Sequence, residues 1–173
     1  LYADLNDLQV VDDGLTANAS AMDITFYKSI DGVALDSALV TQRVTDSAKL
    51  AVGTGYVETI SANFSDVAED YFLVVKVDAA DEVSESDETN NQLRFDKGVF
   101  QANDGTVHIH GDNLANTLDV SLGTTLDVTL DGTTYNFTTS GVAGIHARTH
   151  EGDDTVTASG TSKTMWAYGG SGN

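Results

Sequence analysis

Apolar and polar residues alternate along most of this chain in short runs, cut roughly every ten residues by Gly, Asp, Asn and Ser, and no run keeps a helical period for three turns. The pattern predicts an all-β chain. In the first half it places strands at LNDLQVV near the start, MDITFYKS from Met22, ALVTQRV from Ala38, YVETISANF from Tyr56, YFLVVKV from Tyr71 and QLRFDKGVF from Gln92. SIDGVALD, Ser29 to Asp36, supplies an Asp-Gly turn between two of them. YFLVVKV is aromatic and β-branched enough to be buried on both faces.

After Phe100 the texture changes. Thr, Gly and Asp dominate, and the strands become shorter and more regular: TVHIHG, TLDVSL, TLDVTL, TTYNFTT, AGIHART, DTVTASG and TMWAYGG. The charge divides as well, with 18 acidic and 5 basic residues in Leu1 to Phe95 against 9 and 3 in the remainder. Two modules are therefore expected, residues 1–96 and 97–173, meeting near Asp96 to Gln101. The joint has no Pro and no long Gly/Ser tract, so it is not a swinging linker.

Composition narrows the function classes. Eight basic against 27 acidic residues give a net charge of −19, which disfavours a phosphate backbone and favours cations. The chain has no cysteine, which removes disulfides, thiolate catalysis and sulfur-ligated zinc together. Calcium is the staple left to an exported chain of this kind. No apolar run approaches the roughly 20 residues of a spanning helix. The chain opens mid-pattern at Leu1 with no signal peptide, so a piece of a longer exported precursor is expected.

Six carboxylates crowd into VDAADEVSESDETNN, Val77 to Asn91, directly after the most apolar strand. They lie within a Debye length of about 10 Å, so a divalent cation would relieve their repulsion. Asp, Asn and Ser also build turns through their own side chains, and that reading needs no metal. Asp78, Asp81, Glu85 and Glu88 are the candidate ligands here.

Three segments of the first half carry a family resemblance: FYKSIDG, Phe26 to Gly32; LAVGTG, Leu50 to Gly55; and the closing VDAADEVSESDETNN. From about Leu8 to Phe95 the chain resembles CARDB, the bacterial cell-adhesion-related domain, which implies an immunoglobulin-like β-sandwich. The family's opening strand and Asn-x-Gly turn are answered only by VVDDGLTANAS, Val10 to Ser20, so the first strand is expected to be lost or degenerate. A bare sheet edge invites foreign pairing, so Leu1 to Val11 is expected to pair with the sandwich, with the second module or with a second copy of the chain.

The second half resembles the β-solenoid lead-in to repeats-in-toxin calcium repeats, whose nonapeptide is GGxGxDxUx. YGGSGN, Tyr168 to Asn173, puts Gly169, Gly170 and Gly172 at the glycine positions. THEGDDTVTAS, Thr149 to Ser159, matches the later part, with Thr149 and His150 in place of the first two glycines, and GDNLANTLDVSL, Gly111 to Leu122, echoes it with Asn116 where the family places Asp. The resemblance implies a short β-solenoid module in which Asp153, Asp154 and the carbonyls of Gly152 and Gly170 hold calcium between coils. The same residues also serve as plain turns, Gly for positive φ and Asp for a local hydrogen bond.

Other constellations are thinner. His108 and His110 of VHIH face one side of a strand and, with His150 or Glu151, resemble a zinc set, although half-exposed strand histidines are common. No Gly-x-Ser-x-Gly elbow stands in strand-turn-helix context, and no catalytic residue is assigned. Tyr27, Tyr56, Tyr135, Trp166 and Tyr168 offer rings for sugar stacking, with Tyr135, Trp166 and Tyr168 the ligand-binding candidates; core or ladder pairs are the plainer use. The expectation is a non-catalytic, secreted or cell-surface piece acting in adhesion, spacing or scaffold attachment. Its partners would be other domains of a larger exported protein and a cell-surface protein or polysaccharide, with no nucleic acid and no membrane span. The alternative is a carbohydrate-binding or substrate-positioning accessory of an exported hydrolase, and a small metal-dependent enzyme built on the histidines is a third class.

Overall fold

The computed structural model describes residues 2–4, 7–11, 20–51, 55–58, 69–85 and 87–172, with backbone alone for 2–4, 7–11 and 55–58. Its only helical turn among them is a 3₁₀ turn, Thr139–Gly141, so the chain is all β. Two units divide it: Leu1–Phe64 with Phe72–Phe95, and Ser65–Tyr71 with Asp96–Asn173. The excursion of 65–71 into the second unit has no counterpart in a split of the sequence at one point.

The first unit is a β-sandwich. One sheet contains β1 (Tyr2–Asp4), β2 (Asp7–Val11) and β5 (Gly55–Glu58) in the order β1-β2-β5, all antiparallel. The N-terminal segment thus pairs within the sandwich, and a strand forms where the family pattern pointed to its loss: Leu8 to Val11 run beside Glu58 to Gly55. The turn in Val10 to Ser20 and the middle of Leu50 to Gly55, residues 52–54, lie outside the described residues.

The other sheet has the order β4-β3-β6-β7, from β3 (Met22–Ser29), β4 (Ser37–Val44), β6 (Phe72–Val77) and β7 (Gln92–Arg94). Central strand β6 buries Leu73, Val74, Val75 and Val77, on both of its faces, as its composition requires. Against it β3 presents Ile24 and Phe26, which pair with Val77 and Val75. The β3–β4 connection is an Asx turn: Asp31 Oδ1 accepts the amides of Val33 and Ala34 at 2.8 and 2.7 Å.

The second unit stacks parallel strands into two facing sheets. One has the order β15-β13-β9-β8: β8 (Gly98–Gln101) is antiparallel to β9 (Thr106–His110), while β9, β13 (Gly144–Arg148) and β15 (Met165–Tyr168) are mutually parallel. The other, β12-β11-β10-β14, lays β10 (Thr117–Leu122) parallel to β14 (Thr155–Ser159) and carries β11 (Thr125–Leu130) and β12 (Thr133–Thr138) as an antiparallel meander. Parallel pairing thus sets β13 beside β9, β15 beside β13 and β14 beside β10.

Val107, Ile109, Ile145 and Ala147 from the first sheet meet Leu118, Val120, Leu126, Val128 and Leu130 from the second in one apolar core. The coil corners stack closely. Gly152, at φ 132°, would put a Cβ 2.5 Å from the Leu114 carbonyl oxygen, and Gly170, at φ 54°, would put one 2.2 Å from that of His150, so only glycine fits either place.

QLRFDKGVF, read as one strand, is two: β7 belongs to the first unit and β8 to the second, and Asp96 is where the chain passes between them.

Candidate functional site

The acidic turn at the end of β6 is where carboxylates meet. Asp78 and Asp81 take positive φ, 48° and 56°, conformations that Asp tolerates, and this curls the chain back on itself. Asp78 is buried, and both its oxygens accept backbone amides, Oδ1 from Glu82 at 3.0 Å and Oδ2 from Val83 at 2.9 Å. Glu88 closes the far side: Oε1 accepts the Glu85 amide at 2.9 Å and Oε2 the Asn91 side chain at 3.2 Å, while the Val77 amide reaches the Asn91 carbonyl at 2.8 Å.

These turns bring one carboxylate oxygen each from Asp78, Asp81 and Glu88 within 4.8 Å of one another, the only such grouping of three acidic or histidine side chains among the described residues. Oxygens of that separation suit a cation ligated at 2.3–2.6 Å. Each carboxylate oxygen has a second lone pair, so the amide bonds of Asp78 leave room for a metal. Glu85 lies outside the trio and contributes a backbone donor to Glu88 instead. Asp87 turns away to Thr89, whose hydroxyl and then amide hold its carboxyl below the usual range.

The corners of the second unit are arranged differently. At the first, Lys97 Nζ sits between Asp112 (2.8 Å) and Asp131 (2.9 Å), so a side-chain ammonium already fills the place of a cation. Asp131 also accepts the Thr117 amide at 2.6 Å, and its carboxyl is held low first by that bond. At the second corner Asp154 Oδ1 accepts the Asn116 amide at 2.9 Å, and its Oδ2 is shut from solvent with no hydrogen-bond partner among the described residues. Asp153 is exposed. The Gly152 carbonyl is turned against Gly172 and that of His150 against Gly170, so these corners are packed by backbone. The structure stacks Asn116 beside Asp154 and Thr117 beside Thr155, the alignment of the two repeat-like segments, without converging Asp153, Asp154 and a third carboxylate.

The histidines correct a sequence expectation. They are not half-exposed: His108, His110, His146 and His150 are each at most 5 % exposed. Period two puts Val107 and Ile109 inward and the imidazoles on the outer face, where Phe100, Tyr71 and neighbouring rings cover them. Their nitrogens do not gather with Glu151 into a ligand set of three.

Arg148, which no sequence motif marks, is wholly buried on the same face. Its Nε donates to the Glu69 carbonyl at 2.9 Å and its guanidinium lies 4.0 Å from the centre of the Tyr71 ring. The period-two alternation of IHAR with VHIH was the available signal.

The aromatic candidates do not form one strip. Trp166 and Tyr168 share the outer face of β15, Trp166 stacked on His146 at 4.5 Å. Tyr135, opposite Val128 in the other sheet, packs against the apolar core.

No helix among the described residues is long and apolar enough to cross a membrane. Compared with known proteins, no curated protein and no solved structure matches this chain. The CARDB family model matches residues 9–95, just over half of the chain, and spans both sheets of the sandwich and the acidic turn. The chain belongs to the CARDB family of non-catalytic, immunoglobulin-like domains.

Proposed function

We propose that this chain is a calcium-stabilised module of an exported or cell-surface protein, acting in adhesion, spacing or scaffold attachment and not in catalysis. The observation that carries the reading is the convergence of Asp78, Asp81 and Glu88 at the closing turn of a CARDB sandwich. A cation bound there would tie the end of β6 to the start of β7, stiffening an element meant to bear load between neighbouring domains. Three carboxylates and no preformed cage suit the weak range of extracellular modules, about 0.1–1 mM. The stacked coils of the second unit would continue this role as the lead-in to calcium repeats, with Asp154 at the repeat's acidic position. The partners are other domains of the exported protein and a cell-surface protein or polysaccharide.

The test is calcium titration of the chain followed by heat release and by melting temperature. Stabilisation lost in Asp81→Asn/Glu88→Gln supports the reading, and identical melts in calcium and chelator refute it.

A second reading, a carbohydrate-binding accessory of an exported hydrolase, draws on Trp166, 38 % exposed and backed by His146, with Tyr168 beside it. Glycan binding abolished by Trp166→Ala would favour it; retention by surfaces that is indifferent to that change favours the adhesive one.

A further inference from the structure

One flank of the second unit is made by β14 and β15, which the turn of residues 160–164 joins, and among the described residues no strand pairs with the outer edge of either. The Thr155 amide donates to the Asn116 carbonyl at 2.8 Å, so strand alternation turns the amides and carbonyls of Val156 and Ala158 to the open edge. The Thr164 and Tyr168 carbonyls accept the Ile145 and Thr149 amides at 3.0 and 2.9 Å, which sends the amides and carbonyls of Met165 and Ala167 outward in the same way.

The side chains of these four residues continue the core. Val156 and Ala158 stand beside Leu118 and Val120, and Met165 and Ala167 beside Ile145 and Ala147. Yet Val156 is 40 % exposed, Ala158 and Ala167 are exposed and Met165 is half-buried, whereas Val99, Leu126 and Leu130, contributed to the same core by β8 and β11, are buried. The core is closed along those strands and open along this flank.

Charge divides the same way. Thr155 to Asn173 holds none of the chain's 27 acidic residues and one charged side chain, Lys163, in the turn between the two strands. A chain of net charge −19 repels its own copies over most of its surface and least along this flank. Edges are commonly kept apart by charged side chains or proline, and neither β14 nor β15 contains either.

We propose that this flank is a self-association surface: two copies join through it about a two-fold axis, β14 antiparallel to β14 and β15 antiparallel to β15. Centred on Thr157 and Trp166, that register sets the Val156 amide and carbonyl against those of Ala158 in the second copy, and those of Met165 against Ala167. Each sheet then runs on from one copy into the other, and the four apolar side chains close a shared core. A two-fold axis also permits β14 to pair with β15, and charge decides between the two. Like-to-like pairing brings the Lys163 turn of each copy to the exposed Glu151 and Asp153 of the other, while the mixed pairing brings lysine to lysine and acidic corner to acidic corner. The surface needs no metal, so it stands apart from the calcium reading.

Sedimentation velocity of the whole chain in chelator, from about 1 to 300 µM, reads the association. A concentration-dependent passage from monomer to dimer is expected; a monomer throughout, or growth past the dimer, overturns the proposal. Ala158→Pro/Ala167→Pro removes two outward donors and no ladder bond of the monomer, and it should abolish the dimer. A dimer undiminished in that variant overturns the proposal. Should the proline variant not fold, the charges decide: Lys163→Glu should weaken the dimer at least tenfold, and Glu151→Lys/Lys163→Glu should recover most of the loss. A Lys163→Glu dimer as tight as that of the wild type overturns it.

Discussion

Asp78 and Glu88 lie ten positions apart in one acidic run, yet they do different work. Asp78 caps two amides from a buried position, so Asp78→Ala should destabilise the chain by about 1–3 kcal/mol in urea unfolding even in chelator, the cost of stranding buried donors. Asp81 and Glu88 are exposed, and Asp81→Asn or Glu88→Gln without calcium should stay within about 0.5 kcal/mol of the wild type. The sequence shows where charge is dense but not where it points. That direction depends on positive φ at Asp78 and Asp81, which is why Glu85, as acidic as its neighbours, falls outside the trio.

Lys97 holds Asp112 low and the Thr117 amide holds Asp131 low. Such carboxylates contribute stability that is present above the unfolded carboxylate pKa near 4 and is lost below it. Urea stability measured against pH should therefore show a loss below about pH 4, and Lys97→Met should shrink that step.

At the scale of elements, alternation was the most legible signal. The strands β9, β10, β11 and β13 could be read from period two, because one face of each packs against a common core, whereas β14 is exposed along its length; Ile109→Ala, at the centre of that core, should cost about 2–5 kcal/mol by thermal or urea unfolding. What alternation could not give was the fate of the other face. VHIH and IHAR look like half-solvated strands until their outer face is seen to be covered, His108 by Phe100, His146 by Trp166, and His110 and Arg148 by residues 69–71, about 40 positions earlier in the chain than β9. Tyr135 shows the same limit: its ring could be counted, but its side of β12 follows from pairing with Val128. The division of QLRFDKGVF also left no local mark, since neither Gly nor Pro stands at Phe95 or Asp96, where the chain changes units.

For the molecule as a whole, an excess of acids spread over two units makes compactness dependent on the ions around it. Monovalent salt shortens the Debye length from about 30 Å at 0.01 M to about 10 Å at 0.1 M, so stability at neutral pH should rise modestly over that range. Calcium adds a specific term of the form RT ln(1 + [L]/Kd), about 1–2 kcal/mol at 10 mM ion for a site near 1 mM. The most direct measurement is the melting temperature of the chain in 10 mM calcium, in chelator, and in magnesium at equal ionic strength, repeated with Asp81→Asn/Glu88→Gln. The account predicts a rise of a few degrees with calcium, a smaller one with magnesium, and no calcium-specific rise in the double variant. Superimposable wild-type curves in calcium and in chelator would contradict it and leave the acidic turn with its hydrogen bonds alone.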